Sequence, residues 1–283
     1  MSILHLTKLH ATGNDFLVHE ASEPLSAEVA AALCDRHKGV GADGLLTLRP
    51  GTAGADCSMT LRNADGGEAE MSGNGLRCLA YVAARAGLGT ADSLIVDTAA
   101  GRRFVTLERA PDGEVIAADV DMGAVTFDPA VIGLSAPEAF DLEATFHGVT
   151  YCGDAAGMGN PHFVLFVDDP DEARVTQHGA RLERDDRFPQ RTNVEFVVVE
   201  TRDRIRMRVW ERGVGETLSC GTGACAAVAV AHRRGLVDSF VQVAVPGGVL
   251  RVRLGETIVL GGPVTHVFDV DLDVDLTDLG CRR

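Results

Sequence analysis

Residues 71–80 read MSGNGLRCLA, and residues 219–228 read SCGTGACAAV. When Ser72 is laid on Cys220, at an offset of 148 residues, both glycines of each Gly-x-Gly coincide. The same offset places a Gly-Glu pair, residues 67–68, on residues 215–216 and a later glycine, residue 87, on residue 235. This agreement indicates a duplicated unit of about half the chain.

Each Gly-x-Gly is followed by small apolar residues that occupy most of the circumference of a helix. A helix that is apolar on all sides is buried, and short side chains allow strands to pack closely against it. The first copy predicts a helix from about Leu76 to Ala86 that Gly87 ends. Alternating segments on both sides of each copy predict strands. We therefore expect an α+β fold of two pseudosymmetric halves, each a mostly antiparallel sheet wrapped around a central helix.

One glycine motif points away from nucleotide binding. Residues 39–44 read GVGADG, which matches G-x-G-x-x-G. A predicted helix, Ser26 to Arg36 with Ser26 as its N-cap, precedes the motif, and an extended apolar run follows it. A dinucleotide site needs the opposite order, strand and then helix. We therefore reject a Rossmann fold.

Composition limits the partners and the location. The 283 residues carry a net charge of −15, which disfavours nucleic acids and anionic membranes as partners. The first residues lack the pattern of a signal peptide, and no run approaches 18 apolar residues, so we expect a cytoplasmic protein. The seven cysteines are an odd number without a C-x-x-C pair, which predicts reduced thiols.

The repeated motif itself suggests chemistry. A thiol at a helix N-terminus faces free backbone N–H groups and the positive end of the helix dipole, so we expect a lowered pKa for Cys220. The same N–H groups can bind a carboxylate. If the two helix starts meet across a cleft between the halves, residues 72 and 220 would flank the α-carbon of one bound substrate. Two flanking acid/base groups suit inversion at that carbon.

The chain as a whole resembles the diaminopimelate epimerase family. The matching segments are residues 13–16, 35–44, 63–66, 158–162, 192–196 and 211–217, together with the two central motifs. The resemblance implies cofactor-independent interconversion of LL- and meso-diaminopimelate in bacterial lysine and cell-wall precursor synthesis, and a homodimer. It also implies an N-terminal half over residues 1–120, to which 267–283 return, and a C-terminal half over 121–266, with the active site in the cleft between them.

The family's site residues carry over by position. Cys220 resembles one of two catalytic cysteines, and the backbones of Gly73-Asn74 and Gly221-Thr222 would hold the reacting carboxylate. His162 and Glu211 resemble residues that lie beside the thiols and tune their pKa values. The resemblance implies further substrate-binding side chains at Asn14, Asn63, Asn160, Asn193, Glu211 and Arg212.

The chain departs from the family at one catalytic position, where Ser72 replaces the first cysteine. A hydroxyl is far less acidic than a thiol, and loss of one acid/base group costs typically 10²- to 10⁴-fold, so we expect near-inactivity as an epimerase. Cys78 lies almost two helical turns away and cannot substitute. The serine could be an engineered substitution, or a natural feature of one-base chemistry, or a sign that only binding remains.

Other functions remain open at this point. Proline racemase-like relatives with a single cysteine opposite Ser or Thr make a hydroxy amino acid dehydratase, or another amino acid racemase, the alternative enzyme. A non-catalytic amino-acid-binding protein is the alternative from another class. A pyridoxal phosphate enzyme needs a Schiff-base lysine, and the lysines are Lys8 and Lys38 alone. We expect no cofactor and, without a cluster of metal-ligand spacing, no metal.

Overall fold

The chain forms two compact units in the computed structural model, which describes residues 2–274. Unit 1 comprises Met1–Val120 and Gly262–Arg283, and unit 2 comprises Asp121–Gly261. Each unit has its own series of paired strands and its own buried helix.

Unit 1 carries a sheet around one long helix. Its elements are β1 (Ser2–Ala11), β2 (Asn14–Glu20), α1 (Ala27–Cys34), β3 (Gly44–Pro50), β4 (Cys57–Asn63), β5 (Glu68–Ala69), α2 (Gly73–Arg85), β6 (Ser93–Thr98), β7 (Gly101–Arg109), β8 (Val115–Asp121) and β18 (Thr265–Val274). The strands pair in the order β18-β1-β2-β3-β4-β6-β7-β8, with β5 added to β4. Pairs β2–β3 and β4–β6 are parallel, and the others are antiparallel.

Unit 2 repeats this plan. Its elements are α3 (Pro129–Ile132), β9 (Leu142–Phe146), β10 (Val149–Gly157), β11 (Pro161–Phe166), α4 (Val175–Leu182), β12 (Asn193–Thr201), β13 (Arg204–Glu211), β14 (Gly215–Thr217), α5 (Gly221–Arg233), β15 (Phe240–Val245), β16 (Gly248–Arg253) and β17 (Val259–Pro263). The order is β9-β10-β11-β12-β13-β15-β16-β17, with β14 added to β13. Here β11–β12 and β13–β15 are the parallel pairs.

The two units are therefore copies in topology. Each strand of unit 1 has a counterpart with the same neighbours in unit 2, and the parallel pairs fall at equivalent places. Helix α2 packs on β1 to β4, and α5 packs on the equivalent β10 to β13. Every residue from Gly73 to Ala83 is buried, as an all-round apolar helix requires. The predicted α+β fold with two pseudosymmetric halves is confirmed.

Helix α2 begins earlier than the sequence predicted. Helix α2 starts at Gly73 rather than about Leu76, so the Gly-x-Gly forms the first helical turn. A side chain that caps the turn makes this possible, since the cap satisfies an N–H that would otherwise lack a partner. The predicted end is confirmed, because Gly87 has φ +76°, a left-handed conformation that glycine adopts without strain.

The Asp-rich end of the chain joins unit 1. Strand β18 pairs with β1 over nine residue pairs and forms the edge of the sheet. Asp269 accepts hydrogen bonds from Thr7 at 2.8 Å and from Arg85, at the end of α2, at 2.9 Å. Strand β18 thus pairs within unit 1 as far as Val274, and residues 275–283 of the predicted returning segment lie outside the described residues.

Candidate active site

The two central helices are capped in the same way. Ser72 has extended backbone angles, φ −141° and ψ 121°, and its Oγ accepts a hydrogen bond from the Gly75 N–H at 3.0 Å. Cys220 has φ −118° and ψ 114°, and its Sγ accepts from the Gly223 N–H at 3.4 Å. Each side chain therefore lies at the N-terminus of a buried helix, where backbone N–H groups favour an anion.

Cys220 is a buried thiol, with 6% of its surface exposed. Burial raises its pKa well above 9, the negative charges of Glu211 and Glu195 raise it further, and hydrogen bonds with Thr222 and the Gly223 N–H oppose this only in part. The expectation of a lowered pKa is wrong, because desolvation and two carboxylates outweigh the helix N-terminus. The surroundings of Cys220 therefore favour the thiol over the thiolate.

His162 lies between a carboxylate and an amide. On β11, its Nδ1 is 2.7 Å from Oε1 of Glu195, and its Nε2 is 2.9 Å from Oδ1 of Asn160. The side chains of His162 and Glu195 are both completely buried. Strands β11 and β12 are adjacent and parallel, and His162 pairs in register with Asn193. Glu195 is two residues further along β12 on the same face, so its side chain reaches His162. The second oxygen of Glu195 is buried and has no hydrogen-bond partner among the residues that the structure describes.

Strand β13 ends beside the same helix start. Thr217 donates a hydrogen bond to Oε1 of Glu211, the last residue of β13. Asn193 is buried, and its amide donates to the Pro161 carbonyl at 3.1 Å and accepts from the Arg212 N–H at 2.9 Å. Asn193 therefore holds the backbone around the site, while the side chain of Arg212 is exposed.

Unit 1 places an amide pair at the start of α2. Asn14 accepts a hydrogen bond from Nδ2 of Asn74 at 3.2 Å and donates one to Oδ2 of Asp43 at 2.7 Å. Asp43 in turn accepts from Arg36 at 2.7 Å, and Arg36 also binds Asp15. The orientation of Asn14 is thus fixed by charged neighbours.

The predicted residues fall into two groups, one in each unit. Unit 1 holds Asn14, Asn63, Ser72, Gly73 and Asn74, and unit 2 holds Asn160, His162, Asn193, Glu211, Arg212, Cys220, Gly221 and Thr222. Gly73 and Gly221 are buried in the first helical turns, and Asn63 is exposed. The side-chain oxygen of Thr222, Oγ1, lies 3.5 Å from the Cys220 sulfur.

Two residues that the sequence did not predict as part of the site hold predicted site residues in place. Asp43 orients Asn14, and Glu195 binds His162. Glu195 had a readable signal, since it is the charged residue of the strand sequence NVEFVVV, where burial of an unpaired charge would be costly. Asp43 had none, because an aspartate in a glycine-rich loop is ordinary turn chemistry.

Cys78 does not take the place of a catalytic thiol. It is fully buried inside α2, and burial raises its pKa to about 12. Among residues 2–274, no group of three or more His, Cys, Asp or Glu side chains is placed to bind a metal ion. The same part of the chain contains no helix with the length and apolarity needed to cross a membrane.

Solved structures share this fold. A probable proline racemase from Agrobacterium radiobacter K84 superposes with a TM-score of 0.72 at 17% identity, over 97% of this chain and 94% of that one. A hydroxyproline epimerase from Agrobacterium vitis superposes with a TM-score of 0.70 at 18% identity, over the same shares of the two chains. At such identities the similarity concerns the fold alone.

Sequence comparison is more specific. The family model described as diaminopimelate epimerase matches residues 6–127 and 155–267. A protein named diaminopimelate epimerase from Burkholderia pseudomallei (strain 668) is 42% identical over 94% of this chain and 97% of its own length. A protein of the same name from Acidovorax ebreus (strain TPSY) is 40% identical over 96% and 98%. With matched helix caps in both units and a family match across both, the chain belongs to the diaminopimelate epimerase family.

Proposed function

We propose that this chain is an amino acid isomerase that binds diaminopimelate and acts at its α-carbon without a cofactor, with residues 72 and 220 as the two acid/base positions. The observation that carries the proposal is the repeated helix cap. Ser72 and Cys220 occupy the same backbone conformation and accept a hydrogen bond from the equivalent glycine N–H. Epimerisation needs one group on each face of the carbon, and a duplicated fold supplies two equivalent positions.

Substrate binding follows from the helix starts and the polar side chains near them. The N–H groups around Gly73-Asn74 and Gly221-Thr222 would hold the reacting carboxylate. Arg212 suits the distal carboxylate, because a guanidinium binds a carboxylate through two parallel hydrogen bonds. Asn14 is already oriented by Asp43 and Asn74, so it can bind a substrate group with little further loss of side-chain freedom.

The protonation state of each acid/base position decides whether it can remove or return a proton. A thiol can return a proton to a carbanion, but it must ionise before it can remove one. The thiolate fraction of Cys220 can remove the α-proton on its own face and return a solvent-derived proton to that face. Ser72 is too weakly acidic to exchange a proton on the opposite face, so the chain with Ser72 should catalyse slow α-proton exchange through Cys220 and almost no change of configuration.

Exchange in deuterated water tests the proposal. The chain, its Ser72→Cys variant and a Cys220→Ser control are incubated with LL- and with meso-diaminopimelate, and α-deuterium and diastereomer ratio are followed together. We expect epimerisation at least about 10²-fold faster with Ser72→Cys than with the parent. We expect neither exchange nor epimerisation with Cys220→Ser. The proposal is wrong if Ser72→Cys also leaves both diastereomers unchanged and undeuterated.

A homodimer and a cytoplasmic location are further parts of this proposal. The homodimer rests on the family resemblance, and the location is the expectation drawn from the sequence. Light scattering on the purified chain measures the dimer directly, and a mass equal to one chain of 29.9 kDa would contradict it.

A further inference from the structure

The position of Glu195 is energetically unfavourable for a carboxylate. Its side chain is completely buried in β12, its Oε1 has His162 as a partner, and its Oε2 has no hydrogen-bond partner within residues 2–274. Neighbouring Val194 and Phe196 belong to the apolar core on the opposite face of the strand. Burial of a half-satisfied charge costs stability unless the charge serves another purpose.

The carboxylate lies against the first turn of α5. A Cβ placed on Gly223 would be 2.6 Å from Oε1 of Glu195 and 3.3 Å from Cβ of Cys220. Glycine at position 223 therefore makes room for the carboxylate directly beneath the Cys220 cap. The group is also close enough to Cys220 for its charge to disfavour the thiolate.

Unit 1 shows what the fold requires at this place. A Cβ on Gly75, the counterpart of Gly223, would meet Leu46 at 3.3 Å and Phe16 at 3.4 Å. Phe16 on β2 pairs with Gly44 on β3, and Leu46 follows Gly44 by two residues. In unit 2, His162 on β11 pairs with Asn193 on β12, and Glu195 follows Asn193 by two residues. Phe16 and Leu46 are therefore the counterparts of His162 and Glu195. The fold accepts a buried apolar pair here, and the carboxylate–imidazole pair occurs in the unit that carries the cysteine.

We infer that Glu195 is a positioning residue of the site, which orients His162 and lies against the first turn of α5 beneath Cys220, rather than a residue that the fold needs. The inference rests on the proposed function for its meaning in catalysis. Two carboxylates act on the thiol, Glu195 from β12 and Glu211 from β13, and His162 on β11 is bonded to Glu195. Hydrogen bonds with Thr222 and the Gly223 N–H act in the opposite direction. Removal of the charge at position 195 should therefore make Cys220 ionise at lower pH.

Alkylation of Cys220 tests the inference without any substrate. The full chain, Glu195→Gln and a matched control, Asp154→Asn, react with iodoacetamide over a range of pH, and peptide mass spectrometry follows Cys220. Asp154 is also completely buried, but it pairs with Arg234 at the other end of α5. We expect Glu195→Gln to react about 3- to 10-fold faster than the parent near neutral pH, with its profile moved to lower pH, and Asp154→Asn to follow the parent profile.

A second variant separates a functional role from a structural one, even if Glu195→Gln folds poorly. The double variant His162→Phe, Glu195→Leu copies the pair of unit 1. We expect it to fold with a Tm at or above that of the parent and to show the same earlier ionisation of Cys220, because an apolar pair avoids the desolvation of buried charges.

The inference is overturned if the double variant unfolds at a lower temperature than the parent. It is equally overturned if the Cys220 profile of Glu195→Gln stays with the parent or moves to higher pH. Neither measurement uses diaminopimelate, so absence of epimerase activity would contradict the proposed function and leave this test intact.

Discussion

Gly223→Ala should lower the stability of the protein, whereas Gly75→Ala, at the counterpart position in unit 1, should leave it nearly unchanged. The new Cβ at position 223 would be 2.6 Å from Oε1 and 3.2 Å from Cγ of Glu195. Glu195 is fully buried and cannot move aside without loss of its bond to His162. Overpacking costs about 1–3 kcal/mol, and a hydrogen bond to a charged group contributes about 1.5–3 kcal/mol. Alanine regains up to about 1 kcal/mol of helix propensity, so we expect a net loss of about 2–4 kcal/mol.

The matched substitution has a different outcome. At Gly75 the nearest atoms are Cδ2 of Leu46 at 3.3 Å, Cβ of Ser72 at 3.3 Å and Cζ of Phe16 at 3.4 Å. These apolar neighbours need to move only a few tenths of an ångström. Overpacking and the gain in helix propensity then nearly cancel, and we expect stability within about 1 kcal/mol of the parent.

Urea denaturation measures both changes. The single tryptophan, Trp210, lies in unit 2, so its fluorescence reports the unfolding of that unit, and circular dichroism reports both units. We expect the fluorescence midpoint to fall clearly in Gly223→Ala and both signals to stay near the parent in Gly75→Ala. A Gly223→Ala variant as stable as the parent would refute the close approach of Glu195 to the helix.

Three further predictions concern buried charge and thiol exposure. Asp154→Asn should lower the free energy of unfolding by about 2–3 kcal/mol in urea denaturation, since Arg234 donates to both oxygens of Asp154; an unchanged midpoint would contradict the pairing. Iodoacetamide at about pH 8 should label Cys152 before the other described cysteines, because they are buried and it is exposed; peptide mass spectrometry gives the order. Burial raises the pKa of Asp15, but hydrogen bonds from Arg36 and Lys8 outweigh burial and hold the pKa below 3.8. The ionised Asp15 therefore stabilises the fold above about pH 4, and this contribution should be lost as the pH falls further. Arg36→Gln should weaken this loss in thermal unfolding at about pH 5 and pH 3, and an undiminished loss would exclude the ion pair as its cause.

The burial of Cys220 shows where sequence reasoning reached its limit. Its position before Gly-x-Gly correctly predicted a helix N-terminus, and local rules would then lower its pKa. The groups that decide the outcome come from β12 and β13, 25 and nine residues earlier in the chain. A pKa depends on all charges and on the water excluded around the group, and sequence spacing within one helix contains neither.

What the sequence determined by itself is the duplication, the buried helix in each half, the α+β class and the family. These follow from patterns that can be read directly in the sequence. The duplication shows in glycines that recur at one offset, and each helix shows in small apolar residues at helical spacing, which act through contacts within a few residues. Only the tertiary structure decided which strands are neighbours, and hence that His162 meets Glu195 where unit 1 has Phe16 and Leu46. That choice depends on strand pairing between distant segments, and the same fold accommodates an apolar pair in one unit and a charged pair in the other.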